Sequence, residues 1–186
     1  MRKLVGLIRA LLVLLLLATP QPVFAADYTD RAALDELFAQ LKVARTAEDA
    51  NSFVAQIWTL WFNPNVPELA GRMSRASAAM TSGDFDGALV MLTGIIKDYP
   101  DYSEGWNQRA TLYYMMGQLD ASLDDIAKTL ALEPRHFGAL SGRVMIELKQ
   151  GKRPEALKDM IAALAIDPYL ETRKLFPEIS QNTTNV

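Results

Sequence analysis

The 186-residue chain contains no cysteine and one histidine, His136. The first absence excludes disulfides, thiolate metal sites, a cysteine nucleophile and a lipidated N-terminal cysteine. A lone histidine removes the two-histidine metal site and any histidine pair. Acidic side chains are missing from residues 1–25, whose only charged groups are Arg2, Lys3 and Arg9. The whole chain has 19 basic and 22 acidic residues, so the part beyond residue 25 carries 16 basic against 22 acidic, a net charge of −6. Such a surface repels phosphate backbones and anionic lipid heads, which disfavours nucleic acid as a partner. There is no Ser/His/Asp set, metal-ligand cluster or phosphate-cradling glycine loop. Intrinsic catalysis therefore has no support in the sequence, and no cofactor or metal is implied.

What is present begins with a three-part N-terminus. Met1-Arg2-Lys3 is basic, Ala10 to Ala18 is uninterrupted and leucine-rich, and Pro20 and Pro22 break the run. Val23 and Ala25 then stand at the two positions a signal peptidase reads. The layout predicts a secretory signal over residues 1–25, cleaved between Ala25 and Ala26. A retained anchor and a mitochondrial presequence are the alternatives. Against the anchor, Arg9 interrupts the apolar stretch, and its clean part is far shorter than the roughly 20 residues that span a bilayer. Export without a lipidation site leads to an expected periplasmic location, with no stable membrane insertion after cleavage.

Beyond the leader the sequence repeats itself. Gly83, Gly117 and Gly151 recur at one constant interval, and Pro100, Pro134 and Pro168 keep the same step. Between them recur a small residue (Ala88, Ser122, Ala156), a leucine directly after it (Leu89, Leu123, Leu157), and apolar residues at Leu92, Ile126 and Met160 and at Ile96, Leu130 and Leu164. The middle copy adds Trp106 and Tyr113, with Gly117 shortly after the tyrosine. A fixed period of this length marks stacked repeats rather than one globular core. These three copies, over residues 69–168, resemble tetratricopeptide (TPR) repeats, which are helix–turn–helix units. The resemblance implies an all-α fold, a short right-handed superhelical solenoid of antiparallel helix pairs, with units at 69–102, 103–136 and 137–170. Each first helix is expected to end at the glycine, each second helix to start near Asp86, Asp120 or Pro154 and to stop before the proline.

Two further helices precede the repeats. Leu34, Leu37, Phe38 and Leu41 share one helical face, as do Ala50, Phe53, Val54, Ile57, Trp58 and Trp61. They lack the glycine and proline of the period, so residues 26–67 are expected to form a degenerate hairpin and linker that caps the array, since terminal repeats are atypical. Residues 171–186 read as a closing segment and a frayed polar tail.

The TPR resemblance implies a concave groove lined by first helices. Its inward positions are Ala70, Met73, Ser77 and Met80, then Glu104, Asn107, Thr111 and Tyr114, then Gly138, Ser141, Met145 and Leu148. Met73, Asn107 and Ser141 stand where chaperone-binding members place a basic clamp for a terminal carboxylate, so that activity is not implied. The groove set Met73, Ser77, Met80, Asn107, Thr111, Tyr114, Ser141 and Met145 suits a peptide or partner helix, methionine being flexible and polarizable. The Trp-rich hairpin is a second candidate surface.

Arg75, Arg109 and Arg143 recur where TPR repeats usually carry leucine. Asp125 and Asp159 follow Arg109 and Arg143 at one common spacing, on the facing second helix, which predicts two ion pairs bracing the helices of a repeat. At the matching place Arg75 has Met91. A row of guanidiniums offered to an anionic ligand is the rival reading. Glu133-Pro134-Arg135-His136-Phe137-Gly138-Ala139-Leu140 resembles small exported repeat proteins of alphaproteobacteria, which implies a role in keeping the cell envelope intact. The resulting expectation is a non-catalytic periplasmic scaffold for a protein partner, with a holding chaperone or an accessory regulator of a cell-wall enzyme as alternatives.

Overall fold

A computed structural model describes residues 28–181; the expected leader and the last five residues lie outside this range. The described residues form nine α-helices and no strand. A hairpin, α1 (Arg31–Lys42) and α2 (Ala47–Phe62), comes first. Three helix pairs follow: α3 (Pro67–Ser82) with α4 (Phe85–Asp98), α5 (Ser103–Met115) with α6 (Leu119–Leu132), and α7 (Phe137–Lys149) with α8 (Arg153–Leu164). A 3₁₀ turn over Glu171–Leu175 and a short α9 (Pro177–Gln181) end the described chain.

The turn inside each pair has one solution. Gly83, Gly117 and Gly151 take φ of 82°, 76° and 74°, left-handed values that a side chain would strain. Each glycine N–H bonds the carbonyl three residues back, and the next N–H reaches the carbonyl five back, as in Asp84 to Ala79 at 2.9 Å and Gln118 to Tyr113 at 2.8 Å. This double closure satisfies the carbonyls left open at a helix end. The second helices begin slightly earlier than the sequence suggested, at Phe85, Leu119 and Arg153. Asp84, not Asp86, is the cap: its carboxylate accepts the Gly87 N–H at 3.0 Å. Asp86 and Asp120 sit instead in the first turn, where a negative charge favours the positive helix end.

Pairs stack in order, α4 against α5 and α6 against α7. The small residues Ala88, Ser122 and Ala156 are buried where helices of a pair meet, and the Ser122 hydroxyl donates to the Ala110 carbonyl at 2.7 Å. Phe176, fully buried, drops into the cluster of Leu140, Val144, Ala156, Met160 and Ala163 and closes the C-terminal end of the array.

The N-terminal hairpin departs from the expected cap. It does not stack on α3 and α4 as a preceding repeat; its apolar face closes over Phe137, Ile166, Tyr169 and Leu170. The physical reason lies in one place of the repeat. Tyr102, His136 and Leu170 are the last residues of successive units, and all three meet the hairpin. The Tyr102 hydroxyl donates to the Trp61 carbonyl. The His136 ring stacks on Trp61 with centroids 4.0 Å apart, and Leu170 packs against the hairpin core. Phe38, Trp58 and Trp61 surround Phe137, with Trp58 edge-on at 5.5 Å. Such a cluster outweighs the small contact an end cap would gain, because each large aromatic ring buries about 150–250 Å². Arg135 fastens the rim, bonding Asp35 at 2.6 Å with its guanidinium 4.4 Å over the Phe38 ring.

Candidate functional site

First helices α3, α5 and α7 lie side by side and supply the inner face, and the hairpin covers the N-terminal ends of α5 and α7. The expected groove is therefore divided into a closed half and an open half.

In the closed half a polar cluster is sealed. Glu104 and His136 are both fully buried, with His136 Nε2 2.9 Å from the Glu104 carboxylate. His136 Nδ1 accepts the Ala139 N–H at 3.1 Å and so caps α7. A nitrogen that accepts carries no proton, so Nε2 holds the proton and donates it to Glu104. Asn107 and Gln108 donate their amides to the same carboxylate, Gln108 at 2.6 Å. A buried carboxylate with three N–H donors is satisfied, and no face of it is left for a substrate. Sequence alone gave no sign of this pair, whose members stand at opposite ends of one repeat.

Of the expected groove residues, four converge. Asn107, Thr111 and Tyr114 of α5 and Met145 of α7 line a cleft of about 130 Å³ whose floor is Ala110, Ile126, Ala139 and Gly142. Thr111 and Met145 are exposed at its rim, and Tyr114 is half-buried with the Lys149 ammonium 5.5 Å from its ring centre. Asn107 is a correction in part: at 5% exposure it belongs to the floor, its amide spent on Glu104. Met73 is a full correction. It is 2% exposed and packs with Leu69, Ala76, Leu92 and Leu112, because an unbranched apolar chain at that seam is drawn into the repeat core. Ser77 and Met80 are half-buried on α3, outside the cleft, and Met80 leans on the same core. Ser141 is half-buried with its hydroxyl oxygen turned inward and unbonded, also outside the cleft.

The second candidate surface is turned inward. Trp61 is buried, and Trp58 packs edge-on against Trp61, Phe137 and His136. The arginine row splits as well. Arg109 donates to Asp125 at 2.7 and 2.9 Å, and its Nη1 reaches the Thr93 hydroxyl on the preceding α4 at 3.3 Å. The Asp125 bond holds that guanidinium charged beyond its ordinary range. Arg143 pairs with Asp159 in the next repeat. Trp106 and Tyr113 flank Arg109 at 5.2 and 5.7 Å, and the Trp106 N–H donates to the Pro100 carbonyl at 2.8 Å. Among the described residues no group of three acidic or histidine side chains is placed to hold a metal ion, and no helix is long and apolar enough to cross a membrane.

Comparison with known proteins agrees with this architecture. No protein-family model matches the chain. Over 143 residues the sequence is 37% identical to a TPR repeat-containing protein of Rhizobium etli, covering 77% of this chain and 70% of that one. Tetratricopeptide repeat protein 34 of Mus musculus is 34% identical over 84 residues, 45% of this chain and 14% of its own length. DnaJ homolog subfamily C member 3 of Mus musculus is 30% identical over 95 residues, 51% of this chain and 19% of its own length. The crystal structure of MamA superposes with a TM-score of 0.50 at 20% identity, over 73% of this chain and 78% of that chain, a likeness of fold. TPR proteins mediate protein–protein interaction, and scaffolds of this kind are generally non-catalytic. The chain belongs to the tetratricopeptide repeat proteins.

Proposed function

We propose that the protein is an exported, non-catalytic scaffold that grips a protein partner in the open half of its groove, in the service of the cell envelope. The cleft between α5 and α7 carries this reading. Its volume of about 130 Å³ is well below the roughly 300–1,000 Å³ of pockets that enclose small molecules. It matches one anchoring apolar side chain of a peptide or partner helix instead. Met145 adapts to the shape of that anchor, while Thr111 and the Tyr114 hydroxyl offer hydrogen bonds at the rim. The three-part leader supports export, and the likeness of the 133–140 segment to small exported repeat proteins supports the envelope role.

The test is partner capture from the periplasm by the mature protein and by a Tyr114→Ala, Met145→Glu variant. Capture falls about tenfold or more, as expected when an interface anchor is lost. Thermal unfolding stays within a few degrees, because surface changes shift stability by about 0.5 kcal/mol or less. Undiminished capture overturns the site. Mass spectrometry of the envelope fraction finds Ala26 at the N-terminus; residues 1–25 still attached overturn cleaved export.

A further inference from the structure

At the N-terminal end of the array one repeat lacks what its neighbours have. Arg109 is held between two helices: α6 supplies Asp125 and the preceding α4 supplies the Thr93 hydroxyl. Arg75 occupies the same place in the first repeat and has neither. On α4 the residue matching Asp125 is Met91, and no described helix lies where a preceding one would stand, because the hairpin is docked elsewhere. Ser74, Arg75 and Ala78 on that side of α3 are exposed. Among the described residues Arg75 makes no hydrogen bond or ion pair, whereas Arg72 beside it is taken up by Asp98 at 2.7 Å. The neighbouring α4 surface has changed character too. Where the later repeats show the charged pairs Asp124-Asp125 and Lys158-Asp159, the first shows Val90 and Met91, Val90 being 74% exposed. Arg72, Arg75, Val90, Met91 and Gly94 line an open cleft of about 180 Å³.

We propose that this end cleft takes up an amphipathic α-helix of another protein, one bearing an Asp or Glu beside apolar residues. The added helix stands to α3 as α4 stands to α5. Its carboxylate meets Arg75, and its apolar side chains cover Met91, whose counterparts Asp125 and Asp159 are buried in the later repeats. The chain's own copies do not fit the place. Two N-terminal ends facing each other bring Arg75 against Arg75, and a C-terminal end is already closed by residues 171–179 with Phe176 buried beneath them. An unpaired guanidinium beside exposed apolar side chains selects an acidic, apolar helix by charge complementarity. This surface is separate from the open groove, so the two readings stand or fall independently.

The probe is a side-chain-stapled helical peptide with the sequence of α4, residues 85–98, carrying Thr93→Asp so that the carboxylate falls over Arg75. Fluorescence anisotropy measures its binding to the full protein, with a Thr93→Lys peptide as comparison. The Asp peptide binds saturably and the Lys peptide about tenfold or more weaker, the effect of like charge in the site. A Met91→Asp protein, which gives Arg75 an internal partner as in the later repeats, binds the Asp peptide about tenfold or more weaker. The Tyr114→Ala protein binds it as the parent does. Absence of binding, equal binding of the two peptides, or undiminished binding to Met91→Asp overturns the proposal. So does loss of binding in Tyr114→Ala, which would place the peptide in the groove.

Discussion

Arg109 and Arg153 each hold a carboxylate, yet their surroundings give the two pairs different values. The side chains of Arg109 and Asp125 are 14% and 6% exposed, against 50% and 40% for Arg153 and Glu178. Asp125→Ala leaves a guanidinium partly buried without its partner and should cost about 3–5 kcal/mol in urea unfolding. Glu178→Ala should cost about 0–1 kcal/mol. Replacing Arg109 and Asp125 together with leucine should cost less than the single change at Asp125, since no orphan charge remains. Asp167 supplies a pH dependence. Burial raises its carboxyl above the ordinary range, with the Tyr169 N–H, 3.0 Å away, opposing the shift. A raised acid favours the fold most when protonated. Its contribution is full below the unfolded value of about 3.9 and is lost as pH rises through the folded value. Asp167→Asn keeps the acceptor for Tyr169 without the charge. It should therefore raise the melting temperature at pH 7, and the gain should vanish near pH 3.

At the scale of elements, the hairpin and the repeats approach each other closely at Gly138. A Cβ there would lie 2.5 Å from Trp58 Cη2. Gly138→Val should push Trp58 away and loosen α1 and α2. Hydrogen exchange should then quicken in residues 31–62 while α5 to α8 keep their protection. Equal loss of protection throughout would show that hairpin and repeats unfold as one. The repeat helices were legible in the sequence because their ends are local: a glycine with positive φ, a proline, a constant step. The hairpin helices were legible from their apolar faces, Leu34, Leu37, Phe38 and Leu41 on one and Ala50, Phe53, Val54, Ile57, Trp58 and Trp61 on the other. Thr46 caps α2 by accepting the Asp49 N–H at 3.1 Å, and its hydroxyl donates to the Asp49 carboxylate. Where the hairpin docks was not legible, because Trp61 and His136 are distant in the chain and neither carries a local signal for the other. A clue was present nonetheless. Tyr102, His136 and Leu170 share one place in the period. The groove was half legible for a related reason. Thr111, Tyr114 and Met145 line the inner face as the repeat pattern implies, but Glu104 was claimed by His136, Asn107 by Glu104, and Met73 by the core of its own repeat.

For the molecule as a whole, the consequence is a TPR array that fills half of its own groove. The hairpin seals the ends of α5 and α7, the C-terminal segment seals the far end, and the cleft at Thr111, Tyr114 and Met145 is left open. Binding through that cleft should leave the hairpin in place, because its rim residues Thr111, Tyr114 and Met145 lie outside the hairpin's apolar cluster, so Trp61 fluorescence should change little on partner capture. Photo-crosslinking in living cells tests the central claim most directly. A photoreactive amino acid is placed at Tyr114, at Met145 and, for comparison, at Gln56 and Val43 on the exposed outer side of the hairpin. The account predicts one discrete protein adduct from Tyr114 and Met145 and none from Gln56 or Val43. Adducts from the hairpin positions, with none from the cleft, would contradict it.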